Sequence, residues 1–176
     1  MRKIFGHRGL PRIYKENTFT GINKANEYCD FVEIDVRLTG DNQLILHHDP
    51  NIGEDLIKNL SLSELDILMK DGSIHDSILV SRDQIHGQVN FEIKTDTLDD
   101  SEVDILFQKM LSIFEPGDIV SSFNWKAIQS FKNLFNCNYG IIFDKEEDLF
   151  EAQALSNHDE ELFFMTHFSS VSYTHL

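Results

Sequence analysis

The chain has 176 residues, with 15 Lys+Arg against 30 Asp+Glu and a formal net charge of −15. At a prior of about 150 residues per domain this is one domain, and 41% hydrophobic residues with 14 Phe supply a core and exclude disorder. The acidic excess excludes an extended nucleic-acid or anionic-membrane surface but not a small phosphate-bearing substrate, and two cysteines, Cys29 and Cys137, exclude a disulfide framework or a four-cysteine zinc site.

Residues 2–7 read as a first strand around Ile4-Phe5-Gly6. Residues 17–29 carry Phe19, Ile22, Ala25 and Cys29 at helical spacing, with Asn17 or Thr18 as N-cap. Residues 31–36 alternate acidic and aliphatic side chains, as a strand does, and the turn Gly40-Asp41-Asn42 returns the chain into a strand over 43–47. A short helix over 63–70, capped by Ser63, ends at Asp71-Gly72. Beyond it come a strand at 89–94, a helix at 101–114 stopped by Pro116-Gly117, a strand at 118–122 and a helix at 124–135. A strand at 139–143, a helix at 145–156 and a strand at 162–166 complete the series. Strand and helix alternate throughout, which predicts an α/β fold with a mainly parallel sheet. A closed barrel of eight strand–helix units needs upward of about 200 residues, and about six units are present, so the sheet is either open or a barrel lacking its last units.

The ends carry two further expectations. The first seven residues hold no apolar run of signal-peptide length, and no run of about 18 apolar residues spans a membrane, which predicts a cytoplasmic protein without a stable membrane anchor. Residues 171–176 resemble one translated reading frame of an adapter oligonucleotide used in shotgun DNA libraries. On that reading 1–170 is the domain, 171–176 is a scar, and the protein continues past Ser170.

Glu33 and Asp35 lie two apart in a strand, so both leave on one face while Val32, Ile34 and Val36 leave on the other. Two carboxylates directed into a barrel mouth need neutralising, and a hard divalent cation does this; the alternative is an edge strand with one wet face. Glu92 and Lys94 repeat the pattern, as a third metal oxygen and a phosphate contact or counter-charge, or as a plain surface pair. His7-Arg8-Gly9 follows the first strand, offering an imidazole for proton transfer, a planar donor fork for phosphate and a residue that lets the backbone turn. In His47-His48-Asp49-Pro50, parity puts Leu44, Leu46 and His48 on one face and Ile45 and His47 on the other. One of the two histidines therefore faces the site, and Asp49 could orient it.

His7-Arg8-Gly9, Glu16-Asn17-Thr18, Glu33-Ile34-Asp35-Val36, Thr39-Gly40-Asp41, His48-Asp49 and Glu92-Ile93-Lys94, followed by Ser122-Phe123, stand in a characteristic order. Over residues 3–125 this set resembles the glycerophosphodiester phosphodiesterase family. The resemblance implies a (β/α)8 TIM-type barrel, here incomplete. It implies hydrolysis of a small-molecule glycerophosphodiester to sn-glycerol 3-phosphate and an alcohol, with Mg²⁺ or Ca²⁺. Carried across, His7 and His48 are the acid/base pair, and Glu33, Asp35 and Glu92 the metal ligands. Arg8 and Lys94 contact phosphate, and Glu16 and Asp49 position their neighbours. In the implied reaction one histidine deprotonates the substrate's glycerol 2-hydroxyl, the other protonates the leaving alkoxide, and water then opens a cyclic phosphate.

The sequence departs from the family at Lys15, where Pro is usual, and at the Gly40-Asp41-Asn42 turn. The stretch between His48 and Glu92 is short for the family, which leaves the head group open. Two other readings remain: a truncated or inactive barrel that binds a divalent ion or phosphate ester without turnover, and a related phospholipase of the same barrel superfamily.

Overall fold

A computed structural model describes residues 3–69, 72–134, 138–143 and 162–166. The expected helix at 145–156, Cys137 and the 171–176 tail lie outside the described residues. Strand β1 (Phe5–His7) leads through helix α1 (Phe19–Ala25) to β2 (Phe31–Leu38) and β3 (Leu44–Leu46). A small hairpin, β4 (Asn51–Ile52) with β5 (Asp55–Leu56), and helix α2 (Leu62–Leu68) precede β6 (Val89–Ile93). Helix α3 (Asp100–Met110), β7 (Ile119–Ser122), α4 (Trp125–Phe131), β8 (Asn138–Phe143) and β9 (Leu162–Thr166) follow.

The sheet runs β1-β2-β6-β7-β8-β9 with every neighbouring pair on that path parallel. It curls as part of an α/β barrel wall, the architecture the family resemblance implies, and its parallel pairing is what the alternation of elements predicts. Strand β3 is the exception, pairing antiparallel with β2 from Val36 to Leu38. Because β6 occupies one edge of β2, β1 and β3 share the other: β1 takes Phe31 to Glu33 and β3 takes Val36 to Leu38.

The core lies between the sheet and its helices. Val32, Ile34 and Val36 of β2, with Val89, Phe91 and Ile93 of β6, pack against Ile22 of α1, Leu106 and Phe107 of α3 and Ile128 of α4. A second cluster, Ile45, Ile57, Leu65 and Ile74, gathers under the segment between β3 and β6. Alternation along β2 and β6 therefore sorts apolar residues outward to the helices and polar or charged ones into the barrel interior. Among the described residues no helix is long and apolar enough to cross a membrane.

Caps explain where helices begin. The Thr18 hydroxyl accepts the Gly21 amide at 3.3 Å and donates to the Lys15 carbonyl at 2.7 Å, so Thr18 rather than Asn17 starts α1. Thr18→Ala is expected to lower unfolding free energy by about 1 kcal/mol in a urea titration. Ser61, not Ser63, starts α2 in a capping box with Glu64, and Asp99 does the same for α3 with Glu102. Gly9 requires its lack of a side chain, since its φ is +89° and a Cβ there would stand 2.9 Å from the Gly21 backbone.

Candidate active site

The inward residues of β2 and β6 meet at the C-terminal end of the sheet. Parallel register sets Glu33 opposite Asn90 and Asp35 opposite Glu92, so acidic side chains from neighbouring strands share one layer. Glu33, Asp35 and Glu92 each bring a carboxylate oxygen within 4.8 Å of the others. Asp35 is fully buried and Glu33 nearly so. Burial first, then the Asp35 and Glu92 charges, push the Glu33 carboxyl well above the usual carboxylate range.

Two cations partly compensate the cluster. Lys94 Nζ stands 2.9 Å from Asp35 Oδ1 and also contacts the Glu92 carboxylate, and Arg8 Nε lies 3.1 Å from Asp35 Oδ2. Burial opposes ionisation of Asp35, but Lys94, the Asn17 amide and Arg8 outweigh it and hold its carboxyl below the usual value. Lys94 is likewise held above the usual ammonium value, because Asp35 and Glu92 overcome its burial. Glu33 Oε1 remains buried with no hydrogen-bond partner. Unpartnered buried carboxylate oxygen is costly. A cation ligated at about 2.3–2.6 Å per oxygen can bridge a spread of this size, so the donor set fits a hard, oxygen-binding ion.

Asn17 holds Asp35 from the β1–α1 loop. Its Nδ2 donates to Asp35 Oδ2 at 2.8 Å, and its Oδ1 accepts the Asp35 amide at 3.0 Å. The sequence placed Asn17 in a motif and at a possible cap; its grip on Asp35 went unread. The φ of +55° at Asn17 is one that asparagine tolerates better than most residues.

The histidines flank this cluster. His7 ends β1, with Nε2 at 3.8 Å from Glu33 Oε2 and a mostly exposed side chain. Partial burial and then the Arg8 cation lower its pKa, against the Asp35 and Glu16 charges. The following Arg8, at φ +53°, turns its amide to both the carbonyl (2.9 Å) and the carboxylate (3.1 Å) of Glu33. Glu16 accepts from Arg8 Nη1 at 3.4 Å.

His48 Nδ1 lies 2.8 Å from Asp49 Oδ1. With Nδ1–H donating to that carboxylate, Nε2 is the nitrogen left to exchange a proton. The face that parity assigns to Leu44, Leu46 and His48 together does not form. Leu44 and Leu46 pack in the helix-covered core, yet His48 lines an open cavity of about 530 Å³ with Lys94, Ser122 and Phe123. Strand β3 ends at Leu46, and residues 48–50 are bends, so alternation no longer governs direction. His47 is tied back instead: its amide donates to the Asp35 carbonyl at 3.1 Å and its Nδ1 meets the Asp49 carbonyl at 3.0 Å. Burial lowers the pKa of its imidazole, against the Asp49 carbonyl and carboxylate.

One inward charge of β2 went unread in the sequence. Arg37 continues the parity of Glu33 and Asp35, is buried, and lines the same cavity as His48. Its Nε and Nη2 donate to the His48 carbonyl at 2.9 and 2.6 Å, and Nη1 donates to Asp96 at 2.8 Å. Ser122 completes the rim, its hydroxyl donating to the Ile93 carbonyl at 2.7 Å and accepting the Asn124 amide at 3.1 Å.

Comparison with known proteins places this geometry. The model of the glycerophosphoryl diester phosphodiesterase family matches residues 7–156. A glycerophosphodiester phosphodiesterase of Bacillus altitudinis is 37% identical over 71 residues, covering 37% of this chain and 29% of its own. A solved glycerophosphodiester phosphodiesterase from Thermotoga maritima aligns with TM-score 0.65 and 26% identity over 93% of this chain and 74% of its own. An Oleispira antarctica phosphodiesterase, solved with the product sn-glycerol-3-phosphate, shares the fold with TM-score 0.70 at 21% identity, covering 88% of this chain and 71% of its own. The stretches aligned to the first curated relatives span only 39% and 29% of those proteins' length.

Proposed function

The chain belongs to the glycerophosphoryl diester phosphodiesterase family, and from that premise we propose that the full protein hydrolyses glycerophosphodiesters to sn-glycerol 3-phosphate and an alcohol. The observation that carries this reading is the convergence of Glu33, Asp35 and Glu92 within 4.8 Å, with Glu33 Oε1 unpartnered and an imidazole on either flank.

Glu33, Asp35 and Glu92 would hold a divalent cation, Mg²⁺ or Ca²⁺. When bound, that ion supplies positive charge to the non-bridging phosphoryl oxygens. Arg8 and Lys94 border the carboxylates and add directed donors for the same oxygens. His7 and His48 exchange protons with the attacking hydroxyl and the leaving oxygen, one as base and the other as acid. Asp49 fixes the His48 tautomer, and Asn17 keeps the Asp35 carboxylate turned inward. The open cavity suits a small, water-soluble diester, met on this reading in the cytoplasm. Residues 1–170 belong to the catalytic domain on this reading.

The test is hydrolysis of glycerophosphocholine by the full-length protein with Mg²⁺ or Ca²⁺. Glycerol 3-phosphate is expected as product, with rates falling at least about tenfold on chelation and returning when the ion is restored. Ion binding by calorimetry without any turnover would instead favour the non-catalytic barrel.

A further inference from the structure

We propose that Arg37 is the positioning residue for His48, fixing the imidazole through its own backbone rather than through contact with substrate. The inference rests on the functional reading above and extends it to a residue outside the acid cluster.

Three observations converge. First, two guanidinium nitrogens, Nε and Nη2, bond one acceptor, the His48 carbonyl. A carbonyl held by two charge-assisted bonds has its peptide plane fixed. That plane joins His48 to Asp49, so both members of the imidazole–carboxylate pair hang from it. Second, no strand ladder fixes His48: pairing has ended at Leu46, and among the described residues the Arg37 guanidinium is what holds the His48 carbonyl, while the bonds on either side fall at His47, Asp49 and Pro50. The nearest upstream anchor is the His47 amide on the Asp35 carbonyl. Third, the far side of the guanidinium is occupied by Asp96, at 2.8 Å from Nη1 and 3.4 Å from Nη2. Asp96 follows β6, two residues beyond Lys94, so Arg37 ties the loop carrying His48 to the loop that leaves the site on the other side of the cavity.

Chemistry explains why arginine stands here. Its planar fork can hold a carbonyl and a carboxylate at once, and it stays protonated when buried. Lysine has one compact ammonium and could serve the carbonyl without holding both partners in a plane. The Arg37 guanidinium bonds to His48 and Asp96 and not to Glu33, Asp35 or Glu92, so its loss should leave ion binding alone.

The experiment uses the full-length protein, with glycerophosphocholine as substrate and Mn²⁺ as the binding probe. R37M is expected to lower kcat about 10²-fold, the scale on which a misplaced catalytic group costs rate, with KM and the Mn²⁺ dissociation constant within about twofold of the parent. R37K should recover part of that loss. In histidine Cε1 NMR spectra the His48 line should shift or broaden in R37M while the His7 line holds. Parental kcat together with a parental His48 line overturns the proposal, as does a loss confined to KM or to Mn²⁺ affinity. If the parent protein shows no hydrolysis, the functional reading fails and the His48 line alone decides the positioning. If R37M does not fold, R37K carries the test: reduced kcat at an unchanged melting temperature supports it, and parental kcat and His48 line overturn it.

Discussion

His48→Ala is expected to lower turnover of a glycerophosphodiester by about 10²–10⁴-fold, the usual contribution of a placed general acid or base. His7→Ala should do the same, and the two losses should not multiply, because each histidine is useful only while the other completes the proton exchange. Divalent-ion affinity separates this outcome from simple collapse. Neither imidazole belongs to the carboxylate trio, so calorimetric ion binding should persist in both variants. Asp35→Asn should behave oppositely, losing ion affinity and activity together. Full turnover in either histidine variant would remove these two residues from their assigned parts.

The second large effect lies at the opposite end of the strands. Asp118, immediately before β7, is buried and receives Arg82 Nε at 2.9 Å and Nη2 at 2.8 Å. Its two carboxylate oxygens also accept the Val89 amide at 3.1 Å and the Glu115 amide at 3.0 Å. Arg82 in turn donates to the carbonyls of Ile85 and Gly87. The pair thus pins the segment entering β6 to the start of β7. Asp118→Ala leaves a buried guanidinium with only the exposed Glu115 carboxylate, 3.9 Å from Nε, as counter-charge, and strips the buried Val89 amide and the part-buried Glu115 amide of this acceptor. Breaking such a pair costs about 3–5 kcal/mol. At roughly 2–4 °C per kcal/mol for a chain of this size, melting should fall by about 10 °C. Differential scanning calorimetry measures it. Replacing both partners together, as R82M with D118L, should cost less than Asp118→Ala alone, since no unpaired charge is then buried.

The contrast between these two regions shows what sequence can carry. Glu33, Asp35, Glu92 and Lys94 could be read because strand alternation is local: two residues apart means one face, and a charged pair on an otherwise aliphatic strand stands out. The helix-facing residues Val32, Ile34 and Val36 were legible for the same reason. Arg37 obeyed that alternation too, but an arginine near a strand end reads equally as a solvated terminus. Its importance depends on a carbonyl eleven residues away. Asn17 was hidden by a backbone turn, since its reach to Asp35 exists only in the left-handed conformation at that position. The Arg82–Asp118 pair joins residues 36 apart through tertiary folding, and no spacing rule announces it. For His47 and His48 parity leaves open which one enters the site, and the periodicity behind it stops at Leu46. Regular elements propagate information along the chain, whereas the bends after Leu46 and contacts between distant segments do not.

The divided edge of β2 has a consequence for how the reacting groups are kept in step. Between the stretch claimed by β1 and the stretch claimed by β3, the Asp35 amide is met by Asn17 and the Asp35 carbonyl by the His47 amide. One residue is therefore the common datum from which the His7 loop and the His48 loop are both measured. An insertion in the 39–43 hairpin would slide one loop against that datum and leave the other in place, spoiling the distance between the imidazoles without disturbing either locally. Lengthening the chain after Pro50 would not.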